Sequence, residues 1–272
     1  MISMYQKILS IFLGLVFLVS IWGCQQKVLF TDRQQMLLIP SAQMVSLGEE
    51  TYAGQLKAAT VITQGAGAAM VNRVAARLIP VVEHDLQKLG KTDQLGQLHW
   101  AFSLVSENQT LNAFCLPGGK VVVYTGILKL VANDDELAVV LSHEIAHALA
   151  EHGNERMSEQ LVLQAGGMVL DKVLEKNPEE TRQIFQSVYG IGTSVGVALP
   201  HSREQESEAD KIGLVLMTQA GYEPNSAITF WDKMKAAGGS KPPEFLSTHP
   251  ADERRAAELK AYIPQAMTYK NF

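Results

Sequence analysis

The chain has 272 residues, of which 47% are hydrophobic and 19% are charged, and its formal net charge is -5. This composition fits one compact domain with small extensions and excludes a disordered tail protein. The acidic balance argues against nucleic-acid binding, which needs a clustered basic surface, so we expect no nucleic acid among the partners. The two cysteines, Cys24 and Cys115, are too few for a disulfide framework.

The N-terminus has the pattern of an export signal. Lys7 precedes an apolar run from Ile8 to Trp22. The run is about 15 residues long, which suits a signal peptide better than a spanning helix of about 20 residues. Gly23 and Cys24 then resemble the bacterial lipobox, in which the cysteine becomes the lipidated first residue, although the bulky Trp22 does not fit that pattern.

This interpretation predicts where the protein is found. Residues 1–23 would be removed as a lipoprotein-type signal peptide, and Cys24 would be lipidated. A short uncleaved membrane anchor and a cleaved soluble form are the alternatives. We expect a bacterial envelope protein, lipid-anchored on the periplasmic side, at the outer membrane more than the inner because Gln25 follows the cysteine. Residues 24–40 would form a linker.

The first half of the body combines helices and strands. Apolar residues at helical spacing predict one helix from Ser41 to about Thr60 and a second from about Ala68 to Leu89. Alternation predicts a strand at Leu98–Val105. Two short strands are predicted within Phe114–Tyr124, around the turn signal Pro117-Gly118-Gly119.

The second half is predicted to be helical. Asn133 or Asp134 would cap a helix that continues to about His152, where Gly153 would end it. Further helices are predicted at about Glu155–Glu175, Glu179–Val197, Ser202–Ala220, Asn225–Ala236 and Pro250–Tyr262. The expected fold class is α+β, mostly helical with a small mixed β-sheet.

The sequence His143-Glu144-Ile145-Ala146-His147 is an H-E-x-x-H motif within one of these helices. Residues four apart share a helix face, so the two imidazoles can bind one cation with the separation that tetrahedral zinc requires. Glu144 lies about 100° around the helix, where it can act as general base toward water. The alternative is a surface helix with incidental histidines.

Zinc hydrolases usually take a third protein ligand from elsewhere in the chain. The acidic run at residues 203–210 contains Glu204, Glu206 and Glu208 near a helix start. Glu206 and Asp210 share a helix face, so one could bind the metal while the other orients a ligand histidine. Spacing alone does not choose among the three glutamates, and a solvated helix start explains the run equally well.

The remaining histidines fit no ligand pattern. His152 lies five residues beyond His147, which points it away from the ligand face of a continuous helix. His84, His99 and His201 are expected in surface or hydrogen-bonded structural roles.

Several segments, in the same order, resemble the gluzincin metalloendopeptidases that include the CAAX prenyl protease, HtpX and the mitochondrial Oma-type proteases. The resemblance is closest to periplasmic lipoprotein members and covers about Thr31 to Ile263. It implies a zincin-like metallopeptidase domain at residues 41–272. The matching segments are Asn112-Ala113-Phe114 with Pro117-Gly118-Gly119, His143 to His147, Ser202-Arg203-x-x-Glu206-x-x-Ala209-Asp210, and Ser247-Thr248-His249-Pro250 with Arg255.

The resemblance implies roles for individual residues. Glu206 would be the third zinc ligand, and Asp210 would support the ligands from behind. The segment Asn112-Ala113-Phe114 would be an edge strand that pairs with extended substrate, with an ordinary hairpin as the alternative. His249 would either donate a hydrogen bond to the oxyanion or bind zinc as a fourth ligand in a latent state, with a structural loop histidine bonded to a nearby carboxylate as the alternative. Arg255 could hold the His249 loop through a carboxylate.

Together these features predict a zinc-dependent endopeptidase with one Zn²⁺ per chain, held by His143, His147 and Glu206. Glu144 and His249 are the predicted catalytic residues. The expected partners are polypeptide substrates, taken to be misfolded or misassembled envelope proteins, the membrane through the lipid anchor, and envelope assembly machinery. The alternative is a chaperone-like quality-control factor on the same zinc fold with little proteolysis.

Overall fold

A computed structural model describes residues 25–28, 31, 33–165, 178–189, 191, 200–237, 244–250 and 253–270. The predicted signal peptide at residues 1–23 and the predicted lipidation site Cys24 lie outside the described residues. The predicted helix ends at Glu175 and Val197 also lie outside them. Among the described helices, none has the length and apolar character needed to cross a membrane.

The described residues form six strands and eleven α-helices, among them short strands and helices that the sequence did not predict. The strands are β1 (Gln25–Lys27), β2 (Gln34–Met36), β3 (Val61–Ile62), β4 (Ala101–Val105), β5 (Ala113–Leu116) and β6 (Lys120–Tyr124). The helices before the H-E-x-x-H motif are α1 (Ser41–Ala58), α2 (Ala66–Lys88), α3 (Thr92–Gly96) and α4 (Thr125–Leu128). The motif lies on α5 (Asp134–Leu149), and the later helices are α6 (His152–Ala165), α7 (Pro178–Val188), α8 (Arg203–Gln219), α9 (Ser226–Ala237), α10 (Glu244–Thr248) and α11 (Glu253–Ala266).

A mixed four-stranded sheet has the order β3-β4-β6-β5. β4 and β6 are parallel, whereas β5 and β6 are antiparallel, with Ala113 opposite Val123. The turn between β5 and β6 has Gly118 at φ +81° and Gly119 at φ +76°, a left-handed conformation that favours glycine. In this strand order β5 lies at one edge of the sheet.

The helix α5 forms the centre of the fold. The Asn133 side chain accepts a hydrogen bond from the Glu136 N–H at 3.0 Å and so caps the helix. Leu137, Leu141 and Ile145 are fully buried, and burial of each such side chain contributes about 1.5–3 kcal/mol. α5 packs against β5, α2 and α8, so these contacts fix the helix beneath the edge strand.

The helices α5 and α8 lie close together at Gly213. A Cβ at this position would lie 3.1 Å from the His143 backbone nitrogen and 3.2 Å from the His143 Cα. A side chain there would push the two helices apart. Gly213 thus sets the distance between the helix that carries the H-E-x-x-H motif and the helix that carries Glu206 and Asp210.

The prediction of an α+β zincin-like fold, mostly helical with a small mixed sheet, is confirmed. The predicted end of the H-E-x-x-H helix is wrong. α5 ends at Leu149, not at His152, because Glu151 adopts φ +54° and reverses the chain. Gly153 lies inside α6 and ends no helix. A Cβ on Gly153 would lie 1.9 Å from the Tyr189 hydroxyl, so the absence of a side chain at position 153 permits Tyr189 to pack closely against α6.

The part of residues 24–40 that the structure describes differs from the expected linker. β1 and β2 pair antiparallel, and the chain after them is bonded to α6. The Leu38 N–H donates to Ser158 Oγ at 2.9 Å, and Asn154 Nδ2 donates to the Ile39 carbonyl at 2.9 Å. Val28, Leu37 and Ile39 are buried as well. The order of the segment therefore comes from long-range contacts, which no local pattern reveals.

Candidate metal centre

Four side chains from three elements converge at the centre of the molecule. α5 supplies His143 and His147, α8 supplies Glu206, and His249 follows α10. All four are at most 5% exposed, and their donor atoms lie within 4.8 Å of one another. The structure thus brings together the three predicted ligands and His249, which are up to 106 residues apart in sequence.

The distances between these donors fit a tetrahedral metal site. His143 Nε2 lies 3.1 Å from His147 Nε2 and 3.3 Å from His249 Nδ1. Glu206 Oε1 lies 2.9 Å from His249 Nδ1 and 3.3 Å from His147 Nε2. Zinc–ligand distances of about 2.0–2.1 Å in a tetrahedron place neighbouring donors about 3.3 Å apart. The donor set, three imidazoles and one carboxylate, fits zinc.

Buried charges support His143 and Glu206. His143 Nδ1 lies 3.0 Å from Asp210 Oδ1, and Asp210 in turn accepts a hydrogen bond from Arg255 Nη2 at 2.8 Å. The Arg255 guanidinium also stacks over the Trp231 ring at 4.0 Å. Burial opposes ionisation of Glu206, but His249 and Arg255 together hold the pKa of that carboxyl well below its usual range.

Arg255 also contacts the segment that carries His249. Its Nη1 donates to the Pro250 carbonyl at 3.4 Å, directly after His249. The sequence suggested that Arg255 holds this loop through a carboxylate. In the structure the carboxylate partners, Asp210 and Glu206, lie on α8, and the loop itself is bonded through its backbone.

Glu144 lies beside the donor cluster and faces a small cavity. It is 3% exposed, and its Oε1 lies 3.4 Å from His249 Nε2. Burial raises the pKa of Glu144, and the nearby His249 and His143 oppose that rise. The cavity has a volume of about 20 Å³ and also borders His147 and His201. A cavity of this size holds about one water molecule.

The predicted edge strand borders the same cavity. Asn112, Ala113 and Phe114 line it, with Ala113 and Phe114 in β5 at the edge of the sheet. Asn112 Oδ1 accepts from the Ala113 N–H at 2.9 Å, and the Phe245 N–H donates to the Leu111 carbonyl at 3.1 Å. Helix α10, which precedes His249, is therefore bonded to the chain just before the edge strand.

The sequence interpretation missed several residues around the site. His152 Nδ1 lies 2.8 Å from His147 Nδ1, although a continuous helix would have pointed His152 away. The His201 ring lies 3.9 Å from the His147 ring, and its backbone N–H donates to the Thr248 carbonyl at 2.9 Å. Only the recurrence of histidine near the motif could have signalled them. Arg156, buried at 5% exposure, also borders the cavity, and no motif marks it.

Known proteins with similar sequences are named as proteases. The chain is 36% identical to the mitochondrial metalloendopeptidase OMA1 of Schizosaccharomyces pombe, over 72% of this chain and 53% of that protein. It is 30% identical to the human metalloendopeptidase OMA1, mitochondrial, over 93% of this chain and 49% of that protein. It is 30% identical to the β-barrel assembly-enhancing protease of Escherichia coli, over 56% of this chain and 32% of that protein. The chain thus spans about half the length of these two OMA1 proteins and about a third of the length of the Escherichia coli protease.

The predicted location is wrong. We expected a lipid-anchored protein on the periplasmic side of a bacterial envelope. The OMA1 relatives, which are named mitochondrial, match with up to 36% identity and over as much as 93% of the chain, whereas the Escherichia coli protease matches over 56%. A short apolar run followed by a cysteine is too general a pattern to outweigh this similarity.

The sequence signature of Peptidase family M48 matches residues 72–263, which include the H-E-x-x-H helix, α8 and the His249 segment. The match extends over more than half of the chain. The predicted resemblance and the prediction of a metalloprotease are confirmed at the level of the family. The chain belongs to Peptidase family M48.

Proposed function

We propose that this chain is a zinc-dependent endopeptidase. The observation that carries the proposal is the buried convergence of His143, His147, Glu206 and His249, with Glu144 beside them under the edge strand β5. Membership of a peptidase family and the names of the relatives, which are metalloendopeptidases, support the same activity.

The proposed ligands of the active enzyme are His143, His147 and Glu206, which leave the fourth position for water. When bound, zinc supplies a Lewis acid that polarises the scissile carbonyl and lowers the pKa of water. Asp210 and Arg255 hold His143 and Glu206 in place through the contacts described above.

Glu144 is the proposed general base. It faces the cavity and is not among the four clustered donors, so it can take a proton from water while the ligands stay in place. The same carboxyl then passes the proton to the leaving amine. An extended substrate would pair with the outer edge of β5, where Ala113 and Phe114 border the cavity, so its scissile bond would lie next to Glu144.

His249 is proposed to hold the fourth ligand position in a resting state. Its Nδ1 lies among the ligand donors, 3.3 Å from His143 Nε2, and so stands where water would be needed. Its segment is attached through Arg255 and through α10, which are the contacts that must change for His249 to leave. Once displaced, His249 remains close enough to donate a hydrogen bond to the oxyanion.

The proposed substrates are misfolded or misassembled polypeptides. Pairing with the edge of β5 requires an extended backbone, which an unfolded segment presents and a folded domain does not. The alternative, a chaperone-like factor, would bind such segments through the same edge strand and cleave few of them.

A matched set of variants tests the proposed function. Glu144→Gln should retain about one zinc per chain and lose cleavage of a fluorescently labelled unfolded polypeptide. His143→Ala should lose both zinc and cleavage. Glu204→Gln is the control, since Glu204 is exposed on α8 and should keep both.

Full cleavage by Glu144→Gln would refute the endopeptidase mechanism. An unaltered cellular phenotype in that variant, together with undetectable cleavage by the parent protein, would support the chaperone alternative.

A further inference from the structure

A second chain of polar contacts starts behind His147 and leads away from the cavity. His147 Nδ1 lies 2.8 Å from His152 Nδ1, and His152 Nε2 lies 3.2 Å from Glu208 Oε2. His152 is fully buried, and Glu208 is 8% exposed. The donor cluster faces Nε2 of His147, so this second chain meets the opposite nitrogen of the same ring.

The directions of these hydrogen bonds follow from the proposed zinc site. A neutral imidazole that binds a cation through Nε2 carries its proton on Nδ1. His147 Nδ1–H must therefore donate, and His152 Nδ1 must accept. His152 then has its own proton on Nε2, where it donates to the Glu208 carboxylate. Each hydrogen bond in this series thus has one donor and one acceptor, and the protonation of all three side chains is mutually consistent.

The backbone is shaped to bring His152 into this position. His152 would point away from His147 if α5 continued, but Glu151 adopts a left-handed φ of +54°. A non-glycine residue in this region carries strain of about 1–3 kcal/mol, which the surrounding structure must offset. The reversal starts α6 at His152 and turns its ring back toward His147.

At its far end, the series of hydrogen bonds reaches Glu208, which contacts residues that precede the catalytic body in sequence. Arg33 Nε donates to Glu208 Oε2 at 2.7 Å, and Thr31 Oγ1 donates to Glu208 Oε1 at 2.7 Å. Arg33 also makes a bidentate pair with Glu155 at 2.6 and 2.8 Å. These contacts fix both oxygens of Glu208 and leave it oriented toward His152.

We propose that His152 and Glu208 are positioning residues that hold the His147 ring for metal binding, with Thr31 and Arg33 completing the support. We name this the His152 relay, consisting of His152, Glu208, Thr31 and Arg33. It rests on the proposed zinc site. Partners of this kind behind a metal ligand fix the tautomer and orientation of the ring, and their loss typically weakens metal binding about 10–100-fold.

Zinc affinity, measured by chelator competition on the full chain, tests the relay. His152→Leu removes both hydrogen bonds and should weaken zinc binding about 10–100-fold. His152→Asn keeps an acceptor near the position of Nδ1 and should recover most of the affinity. Glu208→Gln should weaken binding less than His152→Leu, whereas the exposed control Glu204→Gln should leave it unchanged.

The tautomer of His152 in the zinc-loaded parent protein provides a test that needs no variant. Nitrogen-15 NMR should detect a proton on His152 Nε2 and none on Nδ1. A proton on Nδ1, or protons on both nitrogens, would overturn the proposal even if His152→Leu failed to fold.

The same measurements separate this proposal from the proposed function. Parent protein that binds no zinc would refute the zinc site on which both depend. Parent protein that binds zinc, with a His152→Leu variant of equal affinity, would refute the His152 relay alone.

Discussion

The two histidines of the H-E-x-x-H motif are supported in different ways. His143 is backed by the carboxylate of Asp210, which Arg255 neutralises, and all three residues are at most 6% exposed. His147 is backed by the neutral ring of His152, and the charged groups stand one step further away. One ligand therefore depends on a buried ion pair, and the other on a chain of hydrogen bonds.

The two supports also differ in what they connect. The Asp210 side lies between α8 and α11, in the half of the chain that also supplies Glu206 and His249. The His147 side ends at Arg33, whose side chain is 23% exposed. A change in the N-terminal segment can thus reach His147 more directly than His143.

Arg255→Met should destabilise the fold most. It leaves Asp210 and Glu206 as buried carboxylates without their cation, and breaking such a buried pair costs about 3–5 kcal/mol. Urea unfolding of the zinc-free protein measures this. The neighbouring Arg254→Met is the control, because Arg254 is 60% exposed and its pair with Glu258 is worth about 0–1 kcal/mol. Equal losses in both variants would contradict the ion-pair account.

Gly213→Ala should displace α8 from α5. The new Cβ would meet the His143 backbone at 3.1 Å, and overpacking of this kind costs about 1–3 kcal/mol. The variant should also bind zinc more weakly, because Glu206 and Asp210 move with α8. Gly54→Ala is the control, since nothing lies within 4 Å of its Cβ, and it should stabilise α1 by about 0.5–1 kcal/mol. Unchanged stability and zinc affinity in Gly213→Ala would show that the helices can separate freely.

His249→Ala tests the donor that lies next to both His143 and His147 in the cluster. The other three ligands should keep zinc bound, and cleavage of an unfolded polypeptide should rise on the order of tenfold, equal to about 1.4 kcal/mol, because water no longer competes with the imidazole. Initial rates at saturating zinc measure this. A fall in rate of about 10²–10³ would instead assign His249 chiefly to the oxyanion.

Arg33→Met should have the smallest effect. It removes the ion pairs with Glu155 and Glu208, of which only the second contacts the carboxylate next to His152. Because the Arg33 side chain is partly exposed, that pair is worth about 0.2–1 kcal/mol, so zinc affinity should fall by less than about fivefold. Arg182→Met, which breaks exposed pairs with Glu179 and Glu50, should leave zinc affinity unchanged. The contrast between the two histidines would fail if Arg33→Met weakened zinc more than His152→Leu did.

Local patterns predicted the part of the site that lies on one helix. His143, Glu144 and His147 share α5, and their relative placement follows from helix geometry alone. The proposed third ligand did not follow from spacing. In the structure Glu206 lies at the donor cluster, Glu208 contacts His152, and Glu204 is exposed; the face of α8 turned toward α5 decides among them.

Other features depend on contacts that no local pattern encodes. His152 reaches His147 only because the chain reverses at Glu151, and a left-handed glutamate has no sequence signature. The order of residues 33–40 likewise comes from bonds to α6, which is more than 100 residues away. The β5–β6 hairpin was easier to predict, since its turn contains two adjacent glycines.

Anomalous X-ray diffraction at the zinc absorption edge, from crystals of the purified protein, would locate the metal and its ligands in one experiment. We predict one strong peak about 2.0–2.2 Å from His143 Nε2, His147 Nε2 and a Glu206 oxygen, with either His249 Nδ1 or water in the fourth position. A zinc peak elsewhere, or a peak that excludes Glu206 from the ligands, would contradict it.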